Sequence, residues 1–161
     1  VFGVDDDTIE QVLHAMLHDR GWTIATAESA TAGLVASRIT SVPGASAVFR
    51  GSIGAYAAEV KVDVLGVDSE IIDQHGVVSE ETALAMARRA RELIGSDVAV
   101  SVTGSAGPDP LEREAGTMCV AVVTPTIERV RTFRMPGDRE RVRTYTATAA
   151  LHQIRRAIEE S

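Results

Sequence analysis

Three short stretches of this 161-residue chain carry residue types that could do chemistry. The first, Thr26-Ala27-Glu28-Ser29-Ala30-Thr31-Ala32-Gly33, is small and rich in hydroxyls. A serine where a strand gives way to a helix lies beside the free amides of the next turn, which can hold an oxyanion or a phosphate. Serine is also a favoured N-cap, so ordinary capping is an equal reading. The second stretch runs over 51–61 and carries Tyr56 and Lys61. If Tyr56 closes a strand and a helix follows directly, tyrosine and amine lean over the same strand edge. Lys61 is the single lysine beside 15 arginines. Burial can lower a lysine pKa enough to give a neutral amine, whereas arginine stays charged. Lys61 therefore reads as a proton acceptor. Against that stands codon usage: the chain also has no Asn, and a GC-rich gene would leave Lys61 as a survivor on a solvated face. The third stretch, Thr103-Gly104-Ser105-Ala106-Gly107-Pro108-Asp109-Pro110, allows close backbone approach to an anionic group. It matches neither a P-loop nor the dinucleotide fingerprint, and a plain turn is its other reading.

Composition narrows the partners. A net charge of -7 argues against a general nucleic-acid binder, which needs a basic face to displace counterions. No stretch approaches the roughly 20 apolar residues of a membrane span. The acidic start, 1–7, lacks a signal-peptide pattern. One cysteine, Cys119, excludes an internal disulfide and reads as a small core residue, and four scattered histidines offer no metal-ligand spacing. A cytoplasmic protein with no metal, no cofactor, no nucleic-acid partner and no membrane partner is expected.

The elements that must position these residues alternate between helix and strand. Ile9, Val12, Leu13, Met16 and Leu17 mark one face of a helix that Gly21 ends. A short strand over 22–27 precedes a helix over 31–40, with Leu34, Val35 and Ile39 inward. A strand over 47–55, interrupted by Gly51 and Gly54, leads into a short helix carrying Val60, Val64 and Leu65. Another short helix ends at His75, which is expected to cap its carbonyls. Ser79 is an N-cap for a helix that runs to Ile94. The apolar runs 97–102 and 117–123 are central strands covered on both faces. The run 127–133 alternates and suits a strand nearer the edge. Asp138 caps a long last helix, with Val142, Tyr145, Ala149 and Ile158 inward. This order predicts an α/β fold, a three-layer α/β/α sandwich with a mixed, mostly parallel central sheet. No linker or repeat divides residues 1–161, so one domain is expected.

Together the ordered motifs Ala27-Glu28-Ser29-Ala30-Thr31-Ala32-Gly33, Val42-Pro43-Gly44-Ala45-Ser46, Tyr56 with Lys61, Leu65-Gly66-Val67, His75-Gly76-Val77-Val78-Ser79-Glu80-Glu81, Thr103-Gly104-Ser105-Ala106-Gly107-Pro108 and Pro136-Gly137-Asp138-Arg139 resemble the CinA C-terminal domain family. The resemblance spans about 7–158 and implies a stand-alone form of that domain, a homo-oligomer. It also implies a metal-free amidohydrolase that converts nicotinamide mononucleotide to nicotinate mononucleotide and ammonia. By that resemblance Ser29 is the nucleophile, Lys61 its general base and Tyr56 an assistant that relays or orients. The amides of Ala30 and Thr31 are the expected oxyanion donors. Thr31, Gly33, Thr103, Gly104 and Gly107 are expected to cradle the 5'-phosphate and ribose. The arginines around Arg139 read as a solvated face, with Arg139 itself able to reach a neighbouring subunit's phosphate site.

The chain departs from the family pattern at several points. Ala30 stands for a usual cysteine and Ala32 for a glycine, whose added methyl is expected to crowd a close ligand. Ala57 and Ala58 replace the usual Ser-Asn after the tyrosine. Asp109-Pro110-Leu111-Glu112-Arg113-Glu114 replaces a glycine run and adds acidic groups. Ser105 is a rival nucleophile that lacks a nearby base and is expected to shape its turn. A catalytically silent nucleotide-binding or protein-interaction domain is the alternative reading.

Overall fold

The computed structural model describes residues 7–161, so the expectation drawn from the acidic start lies largely outside it. In chain order the elements are α1 (Ile9–Arg20), β1 (Ile24–Glu28), α2 (Leu34–Ile39), a short 3-10 turn (Ala45–Ala47), β2 (Phe49–Gly54), α3 (Ala58–Asp63), α4 (Ser69–His75), α5 (Glu80–Ile94), β3 (Val98–Gly104), β4 (Thr117–Val123), β5 (Glu128–Arg134) and α6 (Arg139–Glu160). The strands form one sheet in the order β2-β1-β3-β4-β5. β1 pairs in parallel with β2 and β3, whereas β4 is antiparallel to both β3 and β5. Four strands therefore share a direction and β4 alone opposes them, which is the mixed, mostly parallel sheet expected.

Alternation along the central strands separates two cores. Val98, Val100 and Val102 of β3, with Met118, Val120 and Val122 of β4, face the layer of α1, α2 and α6. Ala99 of β3 and Cys119 and Ala121 of β4 face the other layer, where α5 presents Ala83, Ala87 and Ala90. Small side chains on both partners let that helix lie close to the sheet. Ser101 is buried on the same side and donates to the Ala83 carbonyl, so its polarity is satisfied. β5 is half-exposed and occupies the edge expected for it.

The helices begin and end where their caps dictate. Thr8, Asp68, Ser79 and Asp138 each accept from an amide of the first turn, and Gly21 and Gly95 end α1 and α5 in left-handed conformation. Two expectations are corrected. Tyr145 is exposed, because the inward face of α6 advances by four residues at a time through Val142, Thr146 and Ala150. Thr146 is tolerated there because its hydroxyl donates to the Val142 carbonyl. His75 faces the Glu81 carboxylate at 3.6 Å, and the Gly76 amide closes α4 instead.

α3 is the least supported of the helices around the sheet. Its N-cap, Ala57, has extended backbone and no side chain able to take an amide hydrogen. Serine is a favoured N-cap, and with Ala57 in its place the first turn has no side-chain acceptor, although the Val60 amide still donates to the Ala57 carbonyl at 3.1 Å. Ala57→Ser should stabilise the protein by about 1 kcal/mol, read as a higher urea midpoint with unchanged slope.

Candidate active site

Parallel strands β1, β2 and β3 end on one edge of the sheet, and the loops leaving them build the site. Register places Glu28, the last residue of β1, opposite Gly54 of β2 and Val102 of β3. The chain then turns so that the Ser29 amide donates to the Val102 carbonyl and the Ala55 amide to the Glu28 carbonyl. Ser29 is thereby held in line with the central strand.

Beneath it lies Lys61, only 2% exposed although it is the chain's single lysine. Its Nζ is 3.1 Å from Ser29 Oγ, 2.8 Å from the Ala55 carbonyl and 3.1 Å from the Tyr56 carbonyl. The proximity that the two loops required is present. Loss of hydration disfavours the ammonium and lowers the Lys61 pKa to about 8, against a smaller upward pull from Glu112. Both protonation states fit the same three oxygens. A neutral amine donates to the two carbonyls and offers its lone pair to the serine hydroxyl. An ammonium donates to all three, and the Ser29 hydroxyl then turns to the Tyr56 carbonyl at 3.4 Å.

Tyr56 meets this pair through its main chain. Its side chain is exposed, and its hydroxyl accepts from Arg139 at 2.9 Å. A second arm of Arg139 donates to the Gly107 carbonyl at 2.8 Å. Arg139 thus joins two walls of its own chain's cavity, a placement its expected role at a neighbouring subunit did not include. That cavity, of about 280 Å³, is floored by Ser29 and Ala30 and walled by Gly104, Gly107, Tyr56 and Arg139. Asp109, Pro110 and Leu111 contribute the remaining wall. Ser105 also lines it, but its hydroxyl accepts from the Leu111 amide and shapes the turn, with no base beside it.

Other expected ligand residues lie outside the lining. Thr31 is fully buried and donates its hydroxyl to Glu28 at 2.7 Å. The Gly33 amide donates to the same carboxylate at 3.1 Å, and Thr103 gives its hydroxyl to the Val77 carbonyl at 2.7 Å. The donors of these three residues, expected to cradle a phosphate, are engaged by internal partners, and none of the three lines the cavity. Ala32 is exposed and stands at φ 48, so the usual glycine there answers to left-handed backbone and not to a close ligand. The amides of Ala30 and Thr31 have no hydrogen-bond partner among the described residues. Arg143 donates to the carbonyls of both residues, at 2.9 and 3.2 Å, and fixes their peptide planes.

The residue that organises this loop is Glu28, 1% exposed. One carboxylate oxygen accepts from Thr31 Oγ1, Gly33 N and Val35 N; the other accepts from Thr26 Oγ1 and Ala36 N. Five donors offset the cost of burying the charge. Sequence reading placed Glu28 inside the motif without a task for it. The available signal is a lone carboxylate ending a fully buried strand, a group that must find donors. Nothing in the spacing of Arg143 distinguishes it from Arg139 or Arg141, so its hold on the Ala30 and Thr31 carbonyls is not legible in the sequence.

An α/β/α sandwich with a buried serine–lysine pair at the ends of its parallel strands defines the class. It superimposes with a TM-score of 0.90 on a competence or damage-inducible protein from Enterobacter asburiae, at 25% identity over 95% of this chain and 99% of that one. A competence/damage inducible protein from Agrobacterium tumefaciens gives 0.86 at 32% identity, over 99% and 98% of the two chains. The chain belongs to the CinA C-terminal domain family, whose model matches residues 6–158. A CinA-like protein of Frankia casuarinae is 45% identical over 159 residues, 98% of this chain and 37% of the relative. A putative competence-damage inducible protein of Caldanaerobacter subterraneus subsp. tengcongensis is 42% identical over 161 residues, 99% of this chain and 39% of the relative. The chain therefore spans about two fifths of the length of these curated relatives. Among the described residues, no helix is long and apolar enough to cross a membrane.

Glu28→Gln turns an amide NH2 group toward backbone N–H donors. It should cost about 3 kcal/mol of stability, seen as a lower urea midpoint in wild-type and variant denaturation curves.

Proposed function

We propose that this chain hydrolyses the carboxamide of nicotinamide mononucleotide, giving nicotinate mononucleotide and ammonia, with Ser29 as nucleophile and Lys61 as general base. The observation that carries the reading is the 3.1 Å contact between Lys61 Nζ and Ser29 Oγ, made by a buried amine whose pKa is lowered to about 8. A carboxamide is a poor electrophile, and a covalent step divides the barrier. The Ser29 hydroxyl attacks the amide carbon as its proton passes to the Lys61 lone pair. The resulting ammonium stays bonded to the Ala55 and Tyr56 carbonyls. It then protonates the nitrogen that leaves as ammonia, restoring the neutral amine. Water attacks the Ser29 ester next, giving its proton to Lys61, and collapse returns the proton to Ser29 as the acid departs.

The unpartnered amide of Ala30, which lines the cavity beside Ser29, suits the oxyanion, such a donor being worth about 3 kcal/mol in related chemistry, whereas fully buried Thr31 lies outside the lining. Arg139, which forms no ion pair with a carboxylate among the described residues, suits the phosphate. Gly104 and Gly107 line the cavity with main chain, their missing Cβ atoms making room for Met118 and Ala115. Asp109 in the cavity wall favours the protein-interaction form of the second reading, a catalytically silent domain, because a carboxylate there opposes the phosphate of any nucleotide.

Ammonia release from nicotinamide mononucleotide tests the choice. Ser29→Ala should lower kcat by about 1000-fold or more. Lys61→Arg should do the same, since a guanidinium cannot accept the proton. If wild-type release equals that of Ser29→Ala, the hydrolase reading fails. The free amine is the active form, so kcat/KM should rise with pH along a limb centred on about 8 and fall roughly tenfold per pH unit below it. A limb centred near 10.5 would mean that Lys61 is not the base.

A further inference from the structure

Two exposed side chains meet in the cavity lining, and each comes from a different wall. Tyr56 follows β2, whereas Arg139 opens α6, 83 positions further along the chain. Arg139 Nη2 donates to the Tyr56 hydroxyl at 2.9 Å, and Nη1 donates to the Gly107 carbonyl at 2.8 Å. The guanidinium thus spans from the turn after β2 to the loop after β3, and all three residues line the same cavity as Ser29. Among the described residues Arg139 is the one cation in that lining. A guanidinium carries more N–H groups than these two bonds use, and the others remain for a ligand. The serine–lysine pair, by contrast, touches the main chain of Tyr56 and not its phenol: Lys61 Nζ and Ser29 Oγ both bond the Tyr56 carbonyl, at 3.1 and 3.4 Å. A proton leaving Ser29 meets Lys61 without passing the phenol.

We propose that Tyr56 is a positioning residue: its phenol holds the Arg139 guanidinium in place across the cavity, and the held guanidinium selects a phosphorylated nucleoside over the free nucleoside. This rests on the reading of the cavity as the site for nicotinamide mononucleotide. An unheld arginine side chain samples many rotamers, and ordering it on binding costs affinity. With one arm on Gly107 and the other on Tyr56, that ordering precedes the ligand. Asp109 sharpens the need, because a carboxylate in the same lining repels an anion unless a cation stands at a fixed point to receive it.

Calorimetry on protein carrying Ser29→Ala, which consumes no ligand, tests this with nicotinamide mononucleotide and nicotinamide riboside as probes. The two share ring, carboxamide and ribose and differ in the phosphate. Tyr56→Phe removes only the hydroxyl; it should weaken mononucleotide binding about fivefold, the usual cost of ordering one long side chain, and leave the riboside unmoved. In protein that also carries Arg139→Ala, Tyr56→Phe should cause no further loss, since the residue it acts through is gone. Tyr56→Met, which likewise lacks the hydroxyl, carries the test if Tyr56→Phe does not fold. With Ser29 intact, the effect of Tyr56→Phe on turnover of the mononucleotide should fall on KM and not on kcat. Equal weakening of both ligands, no weakening of either, or a full additional loss on top of Arg139→Ala overturns the proposal. So does a fall in kcat at unchanged KM, which would make the phenol a proton carrier, or an absence of mononucleotide binding. Mononucleotide binding without ammonia release counts against the hydrolase reading alone, while the affinities still decide what Tyr56 does.

Discussion

The site depends first on a buried carboxylate. Glu28 ends the central parallel strand in a region with no access to water, and its charge is tolerable only because five donors converge on it. Those donors fix the path of the chain. Three are amides near the start of α2 and two are threonine hydroxyls, so the loop between β1 and α2 closes around the carboxylate as around a bound anion. Ser29, Ala30 and Thr31 are carried on that loop. The anion-holding capacity of this helix start, which the hydroxyl-rich sequence advertises for a ligand, is already used by the protein itself.

A second buried charge site follows from the first. With Ser29 fixed, Lys61 can reach it only from below, across the carbonyls of Ala55 and Tyr56. Two carbonyls and one hydroxyl satisfy either form of the amine, so neither protonation state leaves a buried donor stranded. That balance is what a proton carrier needs. Arginine could fill neither role, having no lone pair to offer and a planar fork too wide for a site shaped around a tetrahedral nitrogen.

Much of this was legible in the sequence because the relevant signals were local. Caps at Ser79 and Asp138, the left-handed glycines and the alternation of 127–133 each obey rules that act over a few residues. The pairing of Ser29 with Lys61 became legible only when separate motifs were taken together, since 32 positions separate them in the chain. What sequence could not show was where donors would be spent. Thr31, Gly33 and Thr103 have the right chemistry for a phosphate, yet their hydrogen bonds go to Glu28 and Val77. Tyr145 was misplaced because a spacing of three or four residues from Val142 is equally helical, and only the tilt of α6 on the sheet selects Thr146.

The burial of Lys61 has a consequence for how the chain meets its surroundings. It is the sole lysine and nearly sealed, so the folded protein presents no lysine amine to solvent. Enzymes and reagents that tag lysine side chains can act on this chain only after it opens around α3. Attachment of such a tag would report loss of the native site, and would itself prevent the amine from returning beneath Ser29.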